Sequence, residues 1–259
     1  MFEKEIKQYD ELVKQYFEKI VQPMDVSEFR KHSEILYSCH SCGIEGSSFS
    51  VDDTRTLFEQ GLGYSPVGKT LFECQEMADH FAAYEFIHDN IDHPFNVELL
   101  KKVNQLVTLH TLAYKVPDAI PGEFTHVDMM AGDTVFGDHD KLIAQVPKLM
   151  ESTEKAIKEA KVHPMVLAAK FHGFYEYLHP FRDGNGRTGR LLTNLILLKY
   201  QLPELIIKKE NRQEYIAALR AIRLEGTDEF LIDFFFHSAI AQMEDELNQK
   251  KHNIPFICF

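Results

Sequence analysis

Apolar residues return at helical spacing along nearly the whole chain, and this limits the available folds more than any other feature. Ile6, Tyr9, Leu12, Val13, Tyr16, Phe17 and Ile20 line one face of an opening segment. The same spacing predicts helices over about 26–39, 68–90, 96–113, 140–160, 164–178, 187–200, 212–224 and 227–249. A short further helix is opened by Ser50 with Asp53 and ended by Gly61. Only 10 Pro and 13 Gly are spread over 259 residues, too few for a turn-rich β chain. One interval, 116–138, departs from the helical period and gathers Pro117, Pro121, Gly122, Gly132 and Gly137. Inside it, residues 124–129 alternate, and Gly132-Asp133 can turn them back into Thr134-Val135-Phe136, which predicts a small hairpin. No repeat or composition break marks a linker. The expectation is an all-α chain, a helical bundle carrying one β-hairpin flap and packed as a single globular unit.

Charge narrows the partners. With 28 Lys+Arg against 40 Asp+Glu, the net charge is −12, which repels phosphate backbones and anionic lipid headgroups. The expected partners therefore include no nucleic acid and no membrane. A hydrophobic fraction of 44%, with 20 Phe, supplies ample core and excludes a disordered chain. The opening MFEKEIKQYDELV lacks the apolar stretch of a signal peptide, and Thr193 and Asn194 interrupt the most apolar run, so the chain reads as cytoplasmic. Cys39 and Cys42 form a CxxC around His40. No second ligand pair and no βαβ pattern accompany it, so ordinary reduced thiols are expected rather than a zinc or redox site.

Chemistry concentrates in His179-Pro180-Phe181-Arg182-Asp183-Gly184-Asn185-Gly186-Arg187-Thr188-Gly189-Arg190. Three arginines and one aspartate make this segment cationic inside an acidic protein. Gly184 and Gly186 let successive amides converge on one anion, and a helix beginning at about 187 adds its free N–H groups and dipole. That combination describes a phosphate site. His179 supplies a proton acceptor near neutral pH, and Asp183 a hard oxygen ligand for Mg²⁺. Residues 184–189 also fit G-x-G-x-x-G, with Glu204 at a suitable distance, but that fingerprint needs a preceding strand and 166–178 is helical in period. A plain helix–helix turn would need neither the paired glycines nor the three arginines.

The segment from His179 to Arg190 resembles the HPFx(D/E)GNGRxxR signature of Fic-domain proteins of the Fic/DOC superfamily, with every defined position present. The likeness extends over about 65–245, which suggests an N-terminal helical region, 1–64, and a catalytic core, 65–259. The resemblance implies transfer of AMP from ATP to a Ser, Thr or Tyr hydroxyl of a target protein, with ATP and Mg²⁺ required and pyrophosphate released. The GNGR core resembles these AMP transferases rather than the Doc-type kinases, which carry Lys in place of the second Gly. On this likeness His179 is the base, Asp183 holds the metal, Gly184, Asn185 and Gly186 cradle phosphates, and Arg187 and Arg190 engage the outer phosphates. Phe181 packs beneath the loop, and Arg182 occupies a variable position.

Ser41-Cys42-Gly43-Ile44-Glu45-Gly46 resembles the (S/T)xxxE(G/N) inhibitory motif of the class whose inhibitory helix precedes the core. It implies that Glu45 pairs with Arg190 where a γ-phosphate would lie, with Ser41 and Gly46 completing the motif. Read without the likeness, the segment is a helix end with Gly46 as a left-handed cap and Glu45 in solvent. The flap of such proteins pairs with an extended target segment, which singles out Phe124, Thr134, Val135 and Phe136. Here Thr125 stands where arginine is common, and no proline run follows Phe136. Residues 215–223 correspond to a helix that lines the adenine pocket, with Leu219 and Ala218 as padding and Arg223 in place of a frequent asparagine. Expected partners are target proteins with an acceptor hydroxyl, the chain itself included, and a homo-oligomer is open. The alternatives are the same fold moving another nucleotide or phospho-group, a protein that mainly removes AMP, and a catalytically silent nucleotide-binding regulator.

Overall fold

The computed structural model describes residues 2–131, 134–136 and 138–251. Helix α1 (Glu3–Tyr16) runs on into a single π turn, Phe17–Val21. Asp25 caps α2 (Val26–Ile44) by accepting from the N–H groups of Ser27 and Glu28. Reciprocal capping boxes start the next two helices: Ser50 with Asp53 opens α3 (Val51–Gln60), and Thr70 with Glu73 opens α4 (Leu71–Asp89). Asn96 caps α5 (Val97–Thr108), which is followed by one turn, α6 (Leu112–Lys115). A two-stranded ribbon, β1 (Met129–Ala131) and β2 (Thr134–Phe136), comes next. The remaining helices are α7 (His139–Ile143), α8 (Val146–Glu159), α9 (Pro164–Leu178), α10 (Asn185–Lys199), α11 (Arg212–Glu225) and α12 (Glu229–Lys251).

The mostly helical expectation holds, but two expected helices are divided, one is lengthened, and α10 begins at Asn185, two residues before the expected 187. The stretch 140–160 divides into α7 and α8, because Pro147 in the first turn of α8 suits a new start better than a helix interior. The stretch 96–113 likewise divides into α5 and α6. Helix α2 continues five residues past the expected 39, since tertiary packing there overrides the weak helix preference of Ser41, Cys42 and Gly43.

The hairpin is also shorter at its entry than alternation predicts. Met129 pairs with Phe136 and Ala131 with Thr134 in an antiparallel register. Residues 124–128 take no part, because their backbone is engaged elsewhere: Phe124 bridges Phe181, and the Thr125 N–H donates to Pro180 O at 2.8 Å. The expected turn at Gly132-Asp133 lies outside the described residues.

Helix α10 sits at the centre. Leu191, Leu192, Leu195, Ile196 and Leu197 are all fully buried, with α9, α5, α4 and α2 packed around them. Each such side chain contributes roughly 1.5–3 kcal/mol relative to exposure. The apolar cluster runs from Tyr9 in α1 to Leu247 in α12, and those two helices pack together. Burying α10 on all sides places its amino end, with free N–H groups and positive dipole, inside the molecule. Among the described residues no helix is long and apolar enough to cross a membrane.

Candidate active site at the amino end of α10

His179 ends α9 in the left-handed conformation, φ 47° and ψ 58°, with its N–H donating to Tyr175 O at 3.0 Å. A non-glycine residue held there is strained by on the order of 1 kcal/mol, and the turn holds its ring in the cavity. The following loop is fixed by one side chain. Asn185 Nδ2 donates to Phe181 O at 2.7 Å, while Asn185 Oδ1 accepts from the Phe181 N–H at 3.0 Å. Gly184 turns the chain into α10 with φ 76°, and a β-carbon there would meet Thr108 Cγ2 at 2.6 Å. From α5, Asn104 Nδ2 donates to Asp183 O at 3.0 Å and to Thr188 Oγ1 at 3.2 Å, and Asn104 Oδ1 accepts from the Gly122 N–H. One amide therefore joins the 179–184 loop to the entry of the flap.

Behind the loop lies a compact charge cluster. The Arg187 guanidinium is 1% exposed, 2.8 Å from Glu76 Oε1 and 3.2 Å from Asp183 Oδ2. Lys115 Nζ reaches the same two oxygens, at 3.3 Å and 3.1 Å. Burial opposes the charge on Arg187, but Glu76 and Asp183 outweigh it and raise its pKa.

In front lies the second arginine. Arg190 Nε donates to Ser41 Oγ at 3.0 Å, and its Nη2 donates to Ser41 O at 2.8 Å and Glu45 Oε1 at 2.7 Å. Helix α2 ends in a Schellman motif: the Ser47 N–H donates to Cys42 O and the Gly46 N–H to Gly43 O, with Gly46 at φ 105°. Gly46 is thus the left-handed cap that the sequence allows, but Glu45 is on Arg190 rather than free in solvent. Burial pushes the Glu45 carboxyl up, while Arg190 and Arg187 pull it further down, so it lies below its usual range. A β-carbon on Gly186 would run into Glu45 Oε1. The carboxylate rests in a hollow that exists because residue 186 has no side chain.

These groups surround a cavity of about 350 Å³ whose lining includes Glu45, His179, Gly186, Arg190, Thr134 and Phe136. Phe136 stacks on the His179 imidazole, centroids 4.4 Å apart, and the Arg223 guanidinium lies 4.1 Å from the Phe136 ring. Burial pushes the His179 pKa down to about 4, against the attraction of Glu45, so the ring is neutral at pH 7 with a lone pair available. On the far side, α11 contributes Tyr215, Leu219, Arg220 and Arg223. Ala218 faces the other way, toward Phe234. Val135 is exposed, and Phe124 packs on Phe181 at 5.3 Å. Asp183 and Arg187 stand behind the loop, and Asn185 spends its side chain on the loop backbone.

Sequence reasoning missed Glu76, Lys115, Asn104 and Glu176, all of them close to the site. Asn104 leaves a trace, since it interrupts the apolar face of Leu100, Val103 and Val107. Cys39 and Cys42 are free, buried thiols one turn apart in α2, and burial raises both pKa values. Among the described residues no group of three or more His, Cys, Asp and Glu side chains could hold a metal on its own.

A neutral histidine beside a cationic hollow at a buried helix terminus is an arrangement that can hold an anion where a proton can be taken. Known proteins share this arrangement: residues 93–197 match the model of the Fic/DOC family, so the chain carries a Fic domain. The chain is similar to a protein adenylyltransferase Fic from Culex quinquefasciatus, 30% identical over 189 residues, a match covering 71% of this chain and 36% of that protein. The chain thus spans little more than a third of the length of such relatives. Its fold is shared with a Fic-domain-containing signalling protein from Bacteroides thetaiotaomicron, with a TM-score of 0.77 at 21% identity over 93% of this chain and 95% of that one. It is shared also with Fic-1 from C. elegans, with a TM-score of 0.78 at 23% identity over 96% and 73% of the two chains.

Proposed function

We propose that the chain is a protein adenylyltransferase that moves AMP from ATP to a Ser, Thr or Tyr hydroxyl of a target protein, with Glu45 holding it in check. One observation carries this reading: a side-chain carboxylate occupies the hollow between Gly186 and Arg190, beside a neutral histidine. A hollow that accepts a carboxylate accepts a phosphate oxygen on the same donors. The names of curated relatives point to the same activity.

In the proposed step the acceptor oxygen attacks the α-phosphorus, its proton passes to His179 Nε2, and pyrophosphate leaves with the electrons of the broken P–O bond. Phosphoryl-group transfer depends chiefly on positioning and charge stabilisation. The amides at the start of α10 and Arg190 hold the phosphate chain, while Arg187 acts from behind by fixing Asp183 and Glu76. Asn185 contributes through the loop shape it enforces. The donor set suits Mg²⁺, which takes one or two carboxylates plus substrate phosphates rather than an all-protein cage. Asp183 would hold it, and the ion would supply charge neutralisation on the phosphate oxygens. The exposed edge of the flap, with Thr134 and Val135, would receive an extended target segment, and Phe136 would lift from His179 as it arrives.

Glu45→Gly protein incubated with Mg-ATP should gain the mass of AMP on itself or on an added target, with labelling well above the parent. His179→Ala in the same background should lower the rate on the order of 10²–10⁴-fold. Absence of an AMP adduct on both the folded Glu45→Gly protein and the added target would refute the assignment. Arg223 at the cavity, where adenine-binding relatives often carry asparagine, favours a second reading in which another base is preferred. Parallel labelling with ATP, GTP, UTP and CTP separates the two.

A further inference from the structure

Glu176 is the most anomalous group beside the site. It lies in the last turn of α9, lines the cavity, and its side chain is only 12% exposed. Its Oε1 has no hydrogen-bond partner and presses toward Gly189, where a β-carbon would meet it at 2.8 Å. Its Oε2 stands 3.8 Å from His179 Nδ1, which itself has no hydrogen-bond partner. The Glu176 carbonyl oxygen also lies toward the ring and receives Arg223 Nη2 at 3.4 Å, so it competes with the carboxylate for the Nδ1–H. A ring nitrogen without a partner therefore faces, one helical turn away, a carboxylate whose other oxygen is also without a partner. A purely structural carboxylate would be expected to sit on Arg190 or Arg223, and this one does neither.

We propose that Glu176 is a positioning residue for His179: its carboxylate receives the Nδ1–H, leaving Nε2 free as the base and steadying the imidazolium formed during transfer. The proposal rests on the transferase reading above. In the step, the acceptor O–H bond breaks, an Nε2–H bond forms, and the oxygen electron pair goes to the α-phosphorus. Glu176 takes no proton and keeps its charge, in the manner of an aspartate that orients a histidine base. The gap of 3.8 Å is just outside hydrogen-bond reach, as such contacts often are before substrate closes the site.

The surroundings suit this role. Arg190 from α10, Glu45 at the end of α2, Arg223 and Tyr215 from α11, Tyr175 on the same helix and His179 face the carboxylate. Burial raises its pKa to about 7, against the pull of Arg190. Raising the pH through 7 therefore creates the anion that the histidine needs.

Glu176→Gln keeps the shape and removes the charge. Ring nitrogen NMR of His179 from pH 4 to 9 should show two steps in the parent: its own near 4 and a second near 7 as Glu176 ionises. The second step should vanish in Glu176→Gln, with the ring no longer confined to the Nδ1–H form. In the Glu45→Gly background, Glu176→Gln should lower kcat at least about tenfold with KM for ATP little changed, and Glu176→Asp should recover part of the loss. A parent histidine with no step near 7, or a Glu176→Gln kcat within about twofold of its parent, would overturn the proposal. If Glu45→Gly transfers no AMP, the transferase reading fails by itself, and the NMR comparison still decides whether Glu176 governs the histidine.

Discussion

At the scale of single residues, Gly186 marks the hollow that Glu45 fills and that, under the proposed function, a phosphate would share. Its backbone is ordinary helix, so α10 itself accepts alanine, although the new β-carbon would lie 2.9 Å from Arg190 Nη1 and press on that guanidinium. The added methyl group, however, would occupy the space now held by Glu45 Oε1. Gly186→Ala in the Glu45→Gly background should weaken ATP binding by roughly tenfold or more, about 1.4 kcal/mol, as calorimetry would measure. Binding at the parental affinity would show that phosphate does not use the hollow. The residues of the loop were legible because they are contiguous: a fixed string from His179 to Arg190 encodes turn, cation and base together. Glu76 and Lys115 were not, because their meaning comes from meeting Arg187 and Asp183, segments distant in the chain. An acidic residue on a helix looks solvated until the fold buries it.

At the scale of elements, α9 was read almost to the residue because Pro164 fixes its start and His179 its end. The division between α5 and α6 was hidden, since apolar spacing continues across Leu109 while the backbone breaks. Alternation misled at 124–128 for a related reason: the period of a strand says that the chain is extended, not which neighbour takes its hydrogen bonds. In this protein the neighbour is the catalytic loop, and Asn104 on α5 joins the same junction. Asn104→Ala would leave the Gly122 N–H and the Asp183 carbonyl short of partners in a buried place. The expected cost is about 1–3 kcal/mol, read as a lower urea midpoint at constant m. An unchanged midpoint would mean that water replaces the amide. The overlap of Phe136 with His179 belongs to this scale too, because it ties the flap's position to access to the base.

At the scale of the whole molecule, the acidic surface hides an interior full of neutral histidines. Burial pushes His172 down to about 3 and His40 and His179 to about 4, and drives His80 well below its ordinary value. For each, the unfolded chain binds a proton below pH 6.5 while the folded protein does not. Stability is therefore fully present above 6.5 and falls on acidification, by about 1.4 kcal/mol per pH unit per histidine. Glu34, raised by burial to about 8, and Glu176 work oppositely, stabilising the fold below 4.5 and losing that contribution as pH rises through 7–8. Burial also lowers His32 and raises Asp79 and Glu246. Among the described residues five lowered histidines thus face four raised carboxylates, and urea unfolding should give a lower stability at pH 5 than at pH 6.5. A flat profile over that interval would show that the rings are hydrated. The contact between Glu45 and Arg190 has a different kind of consequence. A carboxylate carried on the same chain faces its guanidinium at a fixed effective concentration, of millimolar order or above, whatever the protein concentration. Dilution cannot relieve it. Under the proposed function, nucleotide supply or a partner that draws the last turn of α2 away would relieve it, and the chain's resting output would follow those quantities and not its own abundance.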